Sequence, residues 1–258
     1  MRKLNICLLI LFSLAPLFSQ DVWGGVSVAT PDNLNAISRN PAGLGITRGE
    51  QSGFYFQFDS LYTSSTSYRK DGIGFDLTYN QFSHGIFKPT NWNIGFGYSL
   101  FQNAYAGFKW NKDHQVDIGL LYRPLNLISL GVTTQFNDTF KDYYESTIGI
   151  AIRPFLKHRL TIGADMFKNA DDDSLYIYPH LTLEPLDGII ISANSNMEFN
   201  DFQINLAFNL GKETVYSPAA INSNDEYSGG IGFYTDTQKQ ESIFKKKTKD
   251  KKRFIRMK

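Results

Sequence analysis

The segment Trp92-Asn93-Ile94-Gly95-Phe96-Gly97-Tyr98-Ser99-Leu100 alternates a large apolar residue with a small or polar one. Successive side chains of a β-strand point to opposite faces, so this alternation predicts a strand with one apolar and one small or polar face. The same alternation recurs in segments 115–122, 128–136, 147–152, 160–166 and 202–210. No segment after residue 50 keeps the helical period for three turns. The sequence therefore predicts an all-β fold.

Two architectures can use strands with one apolar face. A soluble sandwich buries the apolar faces between two sheets, whereas a transmembrane barrel turns them toward lipid and keeps the polar faces in the lumen. The predicted strands have the length, about 9–11 residues, that crosses a bilayer when tilted. Aromatic residues lie near predicted strand ends, as in the girdles of membrane barrels: Trp92, Trp110, Tyr143, Tyr144, Tyr176 and Tyr178. We predict a transmembrane antiparallel up-and-down β-barrel, with a secreted soluble β-sandwich binding protein as the alternative.

Fourteen strands are predicted, an even number as in single-chain bacterial barrels. They lie at 53–59, 61–69, 72–81, 92–100, 103–110, 115–122, 127–136, 144–153, 158–167, 175–183, 188–196, 201–209, 213–219 and 227–236. Twelve strands remain an alternative, because the pattern is weak at 61–69 and 213–219.

The connections between the predicted strands indicate which end of the barrel is which. The longer ones, at 82–91, 137–143, 168–174 and 220–226, all follow odd-numbered strands. Three connections after even-numbered strands share a proline turn: Arg123-Pro124-Leu125-Asn126, Arg153-Pro154-Phe155-Leu156 and Glu184-Pro185-Leu186-Asp187. Outer-membrane barrels have long loops outside and short turns in the periplasm, so both termini are predicted to be periplasmic.

The chain begins with a predicted secretory signal over residues 1–20. Arg2 and Lys3 precede an apolar run at residues 6–18, which is too short to span a membrane as a helix. Cys7 is the only cysteine and lies inside this signal, so the mature chain is predicted to have no thiol and no disulfide. The mean hydropathy of −0.28 argues against a helical membrane protein.

The formal net charge of +1 hides an uneven distribution. Residues 239–258 contain 10 Lys/Arg and 2 Asp/Glu, whereas residues 20–238 contain 14 Lys/Arg and 23 Asp/Glu. We divide the mature chain into a plug segment at 21–51, an outer-membrane barrel at 52–238 and a basic periplasmic tail at 239–258. An exported tail meets little nucleic acid, so we expect a solvated, disordered extension. The alternatives are attraction to lipid headgroups, to the acidic barrel, or to a periplasmic peptidase or secretion partner.

The segment before the strands has its own motif. Thr30 and Pro31 predict the N-cap and first position of a helix that runs to Arg39. The motif Asn40-Pro41-Ala42-Gly43-Leu44 follows this helix. Together with the signal and the strands, this segment resembles the long-chain fatty-acid transporter-like outer-membrane barrels (FadL/PorV type). The resemblance implies fourteen strands and an N-terminal plug, carried by residues 40–44, inside the lumen.

A second resemblance lies further along the chain. Residues 118–126, 129–131 and 159–165 are similar to the barrel domain that precedes signal peptide peptidase SppA in some bacterial fusion proteins. The serine nucleophile and lysine base of that peptidase have no counterpart in this sequence. The resemblance therefore implies the barrel of a split or truncated peptidase, or a stand-alone relative, with no enzymatic activity.

No catalytic, cofactor or metal site is predicted. The histidines at 84, 114, 158 and 180 fall in different hairpins, and residues 171–173 form an acidic loop without the ligand spacing of a calcium site. Glycines 95, 97, 229, 230 and 232 lie within strands, where they allow bending or close approach of the plug. The predicted function is a membrane anchor or passage; the alternative is a transporter of hydrophobic compounds. Predicted lumen-facing polar residues line a conduit or bond around a plug: Gln115, Asp117, Asp165, Gln203 and Asn205.

Overall fold

The computed structural model describes residues 27–34, 36–46, 49–58, 63–80, 88–137, 140, 143–155, 159–170, 174–221 and 227–237. Most of these residues lie in fourteen strands: β1 (Gln51–Phe58), β2 (Thr63–Lys70), β3 (Ile73–Asn80), β4 (Lys88–Phe101), β5 (Ala104–Asn111), β6 (Gln115–Leu125), β7 (Ile128–Asn137), β8 (Tyr143–Ile152), β9 (Leu160–Asn169), β10 (Leu175–Leu186), β11 (Ile189–Ser195), β12 (Phe202–Asn209), β13 (Glu213–Ile221) and β14 (Tyr227–Asp236). The predicted all-β class and the count of fourteen are confirmed.

The strands form a closed barrel in which each strand pairs antiparallel with its neighbours in sequence. The ring closes where β1 pairs with β14, from Gln51 opposite Asp236 to Phe58 opposite Gly229. The two weakly patterned strands, β2 and β13, each pair on both sides, so the twelve-strand alternative is wrong. Closure leaves no unpaired sheet edge, which is what a strand-built wall needs in lipid.

The wall has its apolar face outside and its polar face inside. Phe96 and Ile148 are about half exposed on the outer surface, whereas Lys109 and Asp117 are less than one-tenth exposed and face the lumen. A soluble sandwich requires the opposite arrangement, with the large apolar side chains buried. The sandwich alternative is therefore wrong, and the alternation along each strand identifies the lipid-facing and lumen-facing sides of a membrane barrel.

Aromatic side chains lie at both ends of the outer wall. Trp92 and Trp110 pack edge to face with ring centroids 5.2 Å apart near the end with long connections, while Phe101 and Tyr122 lie 6.4 Å apart near the opposite end. Paired rings at both levels match the girdles that sit at the two membrane interfaces. Tyr178 differs from the girdle prediction, because it pairs directly with Asp165 and so shares its lumen-facing side. Tyr176 lies two residues earlier on the same strand and therefore has the same side.

Short connections follow most even-numbered strands, as predicted. Two-residue turns follow β2, β4, β6 and β10, at 71–72, 102–103, 126–127 and 187–188. The connection after the odd-numbered strand β3 is longer and spans 81–87. The connection after β8, at 153–159, is a long exception among the even-numbered strands. The predicted role of the prolines needs correction: Pro124 and Pro185 lie in the strands before the turns, where the register shifts between Tyr122 and Leu125 and between Leu183 and Leu186. Proline donates no hydrogen bond, so a bulge accommodates it.

The predicted helix from Thr30 to Arg39 is also wrong. The structure has a short helix α1 (Ala36–Arg39) and a 3₁₀-helix η1 (Pro41–Gly45). Residues 27–34 do not form a helix, because contacts with the barrel wall, described below, hold their backbone and the Asp32 side chain. No helix among the described residues is long and apolar enough to cross a membrane.

Several predictions concern residues outside the described ones. They are the signal at 1–20, the basic tail at 239–258, the acidic loop at 171–173, and the histidines at 84 and 158. These remain predictions.

We expect the substitution Ile148→Lys to destabilise the barrel by about 2–4 kcal/mol in a bilayer, because it puts a charge near the middle of lipid-facing β8. Equilibrium unfolding in lipid vesicles measures this change. The control Leu186→Lys, at the strand end beside a turn, should cost no more than about 1 kcal/mol. Equal costs at both sites would contradict the assignment of the outer face.

Candidate functional site

The described residues before the barrel, 27–34 and 36–46, lie inside it, and we call them the plug. Its side chains at Ala29, Leu34, Ala36 and Ala42 are completely buried. The plug is held against the inner wall by close backbone packing, by hydrogen bonds and by ion pairs. We treat the plug and the wall residues that contact it as the candidate functional site.

The motif Asn40-Pro41-Ala42-Gly43-Leu44 forms the centre of the plug, and all five residues are buried. Asn40 caps η1 by accepting a hydrogen bond from the Ala42 amide at 3.0 Å. Its side-chain amide donates to the Val28 carbonyl at 2.8 Å and to the Leu120 carbonyl of β6 at 3.1 Å. Pro41 suits the first position of η1, where no backbone donor is needed. Asn40 therefore joins two parts of the plug to the wall.

The motif lies on a row of inward-facing glycines. A Cβ atom at Gly107 of β5 would collide with the backbone of Pro41 and Ala42, and one at Gly97 of β4 would lie 2.7 Å from the Leu44 Cβ. Other glycines at which a Cβ would meet plug atoms are Gly74, Gly95, Gly119, Gly131 and Gly149. The small face of these strands therefore serves close approach of the plug, one of the two roles considered from the sequence.

An ion-pair clamp holds the plug at Asp32. Its two carboxylate oxygens pair with Arg123 of β6 at 2.8 Å and with Arg153, just after β8, at 2.6 Å. All three side chains are at most 15% exposed, so the charges attract each other with little screening by water. Each arginine directly precedes a proline of the recurring turn motif. That recurrence was the sequence signal for the clamp, although its prediction concerned only the turns.

Arg69 of β2 holds the other end of the plug. It is 1% exposed and donates to the carbonyls of Asn33 at 3.1 Å, Gly43 at 2.8 Å and Ile46 at 2.9 Å. A buried guanidinium is costly unless its donors are satisfied, and these carbonyls supply that satisfaction. No pattern in the sequence distinguishes Arg69 from a surface arginine at a strand end.

Asp165 of β9 holds the beginning of the plug. It accepts hydrogen bonds from the Ser27 hydroxyl at 2.6 Å and the Val28 amide at 2.9 Å. The Ser129 hydroxyl donates to the Ala29 carbonyl at 2.6 Å. Burial lowers the pKa of the Arg39 guanidinium at the end of α1, while the Asp165 carboxylate opposes that change. The plug therefore places the Asp32 carboxylate beside wall arginines and the Arg39 guanidinium near the wall carboxylate of Asp165.

The plug also reaches the seam where the barrel closes. Leu34 packs in one apolar cluster with Tyr55 of β1 and Tyr234 of β14, and Ala207 of β12 lies against this cluster. Gly230 leaves room for the Tyr55 ring, since a Cβ there would lie 2.5 Å from its Cζ atom. The plug thus touches opposite sides of the wall.

The plug occupies the end of the barrel that carries the short turns. Arg69 precedes the turn at 71–72, and Arg123 and Ser129 flank the turn at 126–127. Toward the other end, lumen-facing polar side chains bond to one another. Asp117 pairs with Lys109 at 2.5 Å and accepts from Gln135 at 2.9 Å.

The remaining predicted residues are dispersed. Gln203 and Asn205 are buried on the lumen side of β12, where the Gln203 Nε2 atom lies 3.5 Å from the Asn205 Oδ1 atom. Gln115 accepts a hydrogen bond from the Asn111 side-chain amide at 2.8 Å beside a turn. His114 is exposed in that turn, and the His180 Nε2 atom lies 3.9 Å from Asp165. Within the described part of the chain, no three His, Cys, Asp or Glu side chains form a group that could hold a metal ion.

Comparisons with known proteins agree with this architecture. No family model matches the chain, and no curated protein sequence matches it. Solved membrane barrels do match in structure. The fold is that of an outer-membrane β-barrel.

The deltaS2S3 mutant of TodX, described as a monoaromatic hydrocarbon channel, has a TM-score of 0.55 at 10% identity, covering 88% of this chain and 98% of its own. The outer membrane protein Omp33 of Acinetobacter baumannii has a TM-score of 0.53 at 10% identity, covering 74% and 99%. A triple mutant of the Rhodopseudomonas blastica porin has a TM-score of 0.50 at 8% identity, covering 74% and 100%. The likeness is one of fold.

We expect Gly107→Ala to loosen the plug, because the added methyl group overlaps the Pro41 backbone. Overpacking of this kind costs about 1–3 kcal/mol. Hydrogen exchange at the plug amides should become faster, while exchange in the strands changes little. The control Ala106→Val adds bulk at the adjacent position, whose side chain faces lipid, and should leave plug exchange unchanged. Unchanged plug exchange in Gly107→Ala would contradict the packing described for η1.

We expect Asp32→Ala to weaken plug attachment by about 3–5 kcal/mol, because it leaves two partly buried arginines without their carboxylate. The free-energy change is measured from plug hydrogen exchange or from unfolding in vesicles. The control Arg159→Ala breaks the half-exposed pair with Asp187 and should cost at most about 1 kcal/mol. A cost at Asp32 no larger than at Arg159 would contradict the clamp.

Proposed function

We propose that this chain is a non-enzymatic bacterial outer-membrane barrel that serves as a membrane anchor with its lumen closed by the plug. The observation that carries the proposal is the plug itself, which contacts opposite sides of the wall. Its contacts run from the glycine row on β3–β8 to the Leu34 cluster at the β1–β14 seam. A segment tied to both sides obstructs passage at the end with the short turns.

The outer surface supports location in an outer membrane. It presents a continuous apolar wall with aromatic side chains at both ends, and the chain shares its fold with outer-membrane barrels. The predicted secretory signal supplies the export route. We infer that the end with the short turns, which carries the plug, faces the periplasm, because barrels of this kind have their short turns there.

The lumen does not favour transport of hydrophobic compounds, the alternative considered from the sequence. A lumen that carries apolar solutes would be lined by apolar side chains. The described inner face instead carries Lys109, Asp117, His180, Gln203 and Asn205, all less than one-tenth exposed. Their burial indicates a packed interior and supports an anchor over an open passage.

The resemblance to PorV-type barrels and to the barrel that precedes SppA suggests what is anchored. We propose a periplasmic peptidase or secretion partner, recruited through the basic tail. β14 ends at Asp236, and the Thr237 amide bonds to the Glu50 carbonyl at 3.0 Å, so the chain leaves the barrel wall at the end that holds the plug. A partner joined there would be on the periplasmic side in the orientation proposed above.

Conductance in a planar lipid bilayer tests the closed lumen. We expect the wild-type protein to insert without stable channel openings, and the double variant Asp32→Ala/Gly107→Ala to show openings because its plug is loosened. The control Arg159→Ala/Ala106→Val should remain closed. Stable openings of the wild type would overturn the proposed function, as would a silent double variant whose plug amides exchange rapidly.

A further inference from the structure

The wall recognises the plug largely through the plug's own backbone. Arg69 donates to three plug carbonyls, those of Asn33, Gly43 and Ile46. On the opposite side, the Ser129 hydroxyl donates to the Ala29 carbonyl and Asp165 accepts from the Val28 amide. These bonds depend on the course of the plug chain through the lumen.

Plug side chains add sequence selectivity to these backbone bonds. The Asp32 carboxylate lies between Arg123 and Arg153, and the Asn40 side chain donates to the Leu120 carbonyl of β6. Leu34 fills the space between Tyr55 and Tyr234. A ligand must therefore combine an acidic residue, an apolar residue and the 3₁₀ turn of the 40–44 motif at fixed separations.

Hydrogen bonds within the plug also define its local structure. The Thr30 amide bonds to the Ser27 carbonyl, the Gly43 amide to the Asn40 carbonyl and the Ile46 amide to the Gly43 carbonyl. Asn40 links the turn back to the Val28 carbonyl within the plug. A segment that keeps these internal bonds when free would lose less conformational entropy on binding, which favours affinity without a covalent connection to β1.

We propose that the lumen is a peptide-binding site, which holds the plug as a non-covalent ligand and accepts the same peptide as a separate molecule. The ligand class is a short peptide with an acidic residue followed by the Asn-Pro-Ala-Gly-Leu turn. Among the described plug residues, the last wall contact is that of the Ile46 carbonyl with Arg69. The inference goes beyond the closed-anchor function, because retention of a cut plug is measured without any conductance.

The test uses the full chain with a protease recognition site in place of residues 47–48, folded in detergent micelles and then cut. We expect the plug fragment to remain with the barrel through size-exclusion chromatography. A fluorescent synthetic peptide of residues 27–46 should then exchange with it in a saturable manner. An unlabelled Asp32→Ala peptide should compete more than about tenfold less well, since it lacks a buried charge partner. The Ser38→Thr peptide, which keeps the hydroxyl group at an exposed plug residue, should compete like the wild type.

Two results would overturn the inference. One is loss of the cut fragment without saturable binding of the labelled peptide. The other is equal competition by the Asp32→Ala peptide and by a scrambled peptide of the same composition, which would indicate unspecific entry into the lumen. Retention of the fragment together with a conducting wild-type protein would overturn only the closed-anchor function, so failure of the two proposals is distinguishable.

Discussion

The inner face of this barrel is polar and buried, and the rest of the structure depends on satisfying it. Buried polar and charged groups are costly unless they are paired, and the apolar side chains of the outer face supply no partners for them. The plug supplies many of the missing partners: carbonyls for Arg69, a carboxylate for Arg123 and Arg153, and donors for Asp165. The plug and the polar inner wall therefore satisfy each other's hydrogen bonds and charges.

The glycine row makes this system geometrically possible. Hydrogen bonds to a plug backbone require that backbone to lie within about 3 Å of wall atoms. On β4 and β5 the wall has no side chains at Gly97 and Gly107, so η1 lies directly on the strand backbone. Larger residues there would push the plug toward the lumen axis and separate Asn40 from the Leu120 carbonyl. Packing on one side of the lumen therefore aligns the polar contacts around it.

The charges of the plug and the wall favour the observed orientation of the plug. Asp32 meets two arginines near the short turns, whereas Arg39 lies in the field of the Asp165 and Glu145 carboxylates. Reversing the plug would oppose like charges at low exposure to water, where their repulsion is strong. The charges therefore add a directional preference to the apolar packing of Leu34, Ile37 and Leu44.

The sequence by itself determined the strands and their two faces, and it favoured a barrel over a sandwich. Alternation of the kind seen at residues 92–100 depends only on the two-residue repeat of a strand, and this repeat is local. Strand number and the short turns followed from the same local signals, and so did the inward-facing polar residues. The family resemblance carried by the motif at residues 40–44 predicted an N-terminal plug.

Only the tertiary structure decided how the plug is built and held. The helix predicted from Thr30 is absent because wall contacts with Val28, Ala29 and Asp32 outweigh a local N-cap preference. Arg69, Arg123 and Arg153 are far from the plug in sequence, and a single chain gives no sign of which carboxylate or carbonyl each will meet. Tyr178 was assigned to the girdle because an aromatic near a strand end suits either face, and only its pairing with Asp165 identifies the lumen side. Strand periodicity is a local property, whereas the partners of a buried charge are fixed by closure of the barrel around it.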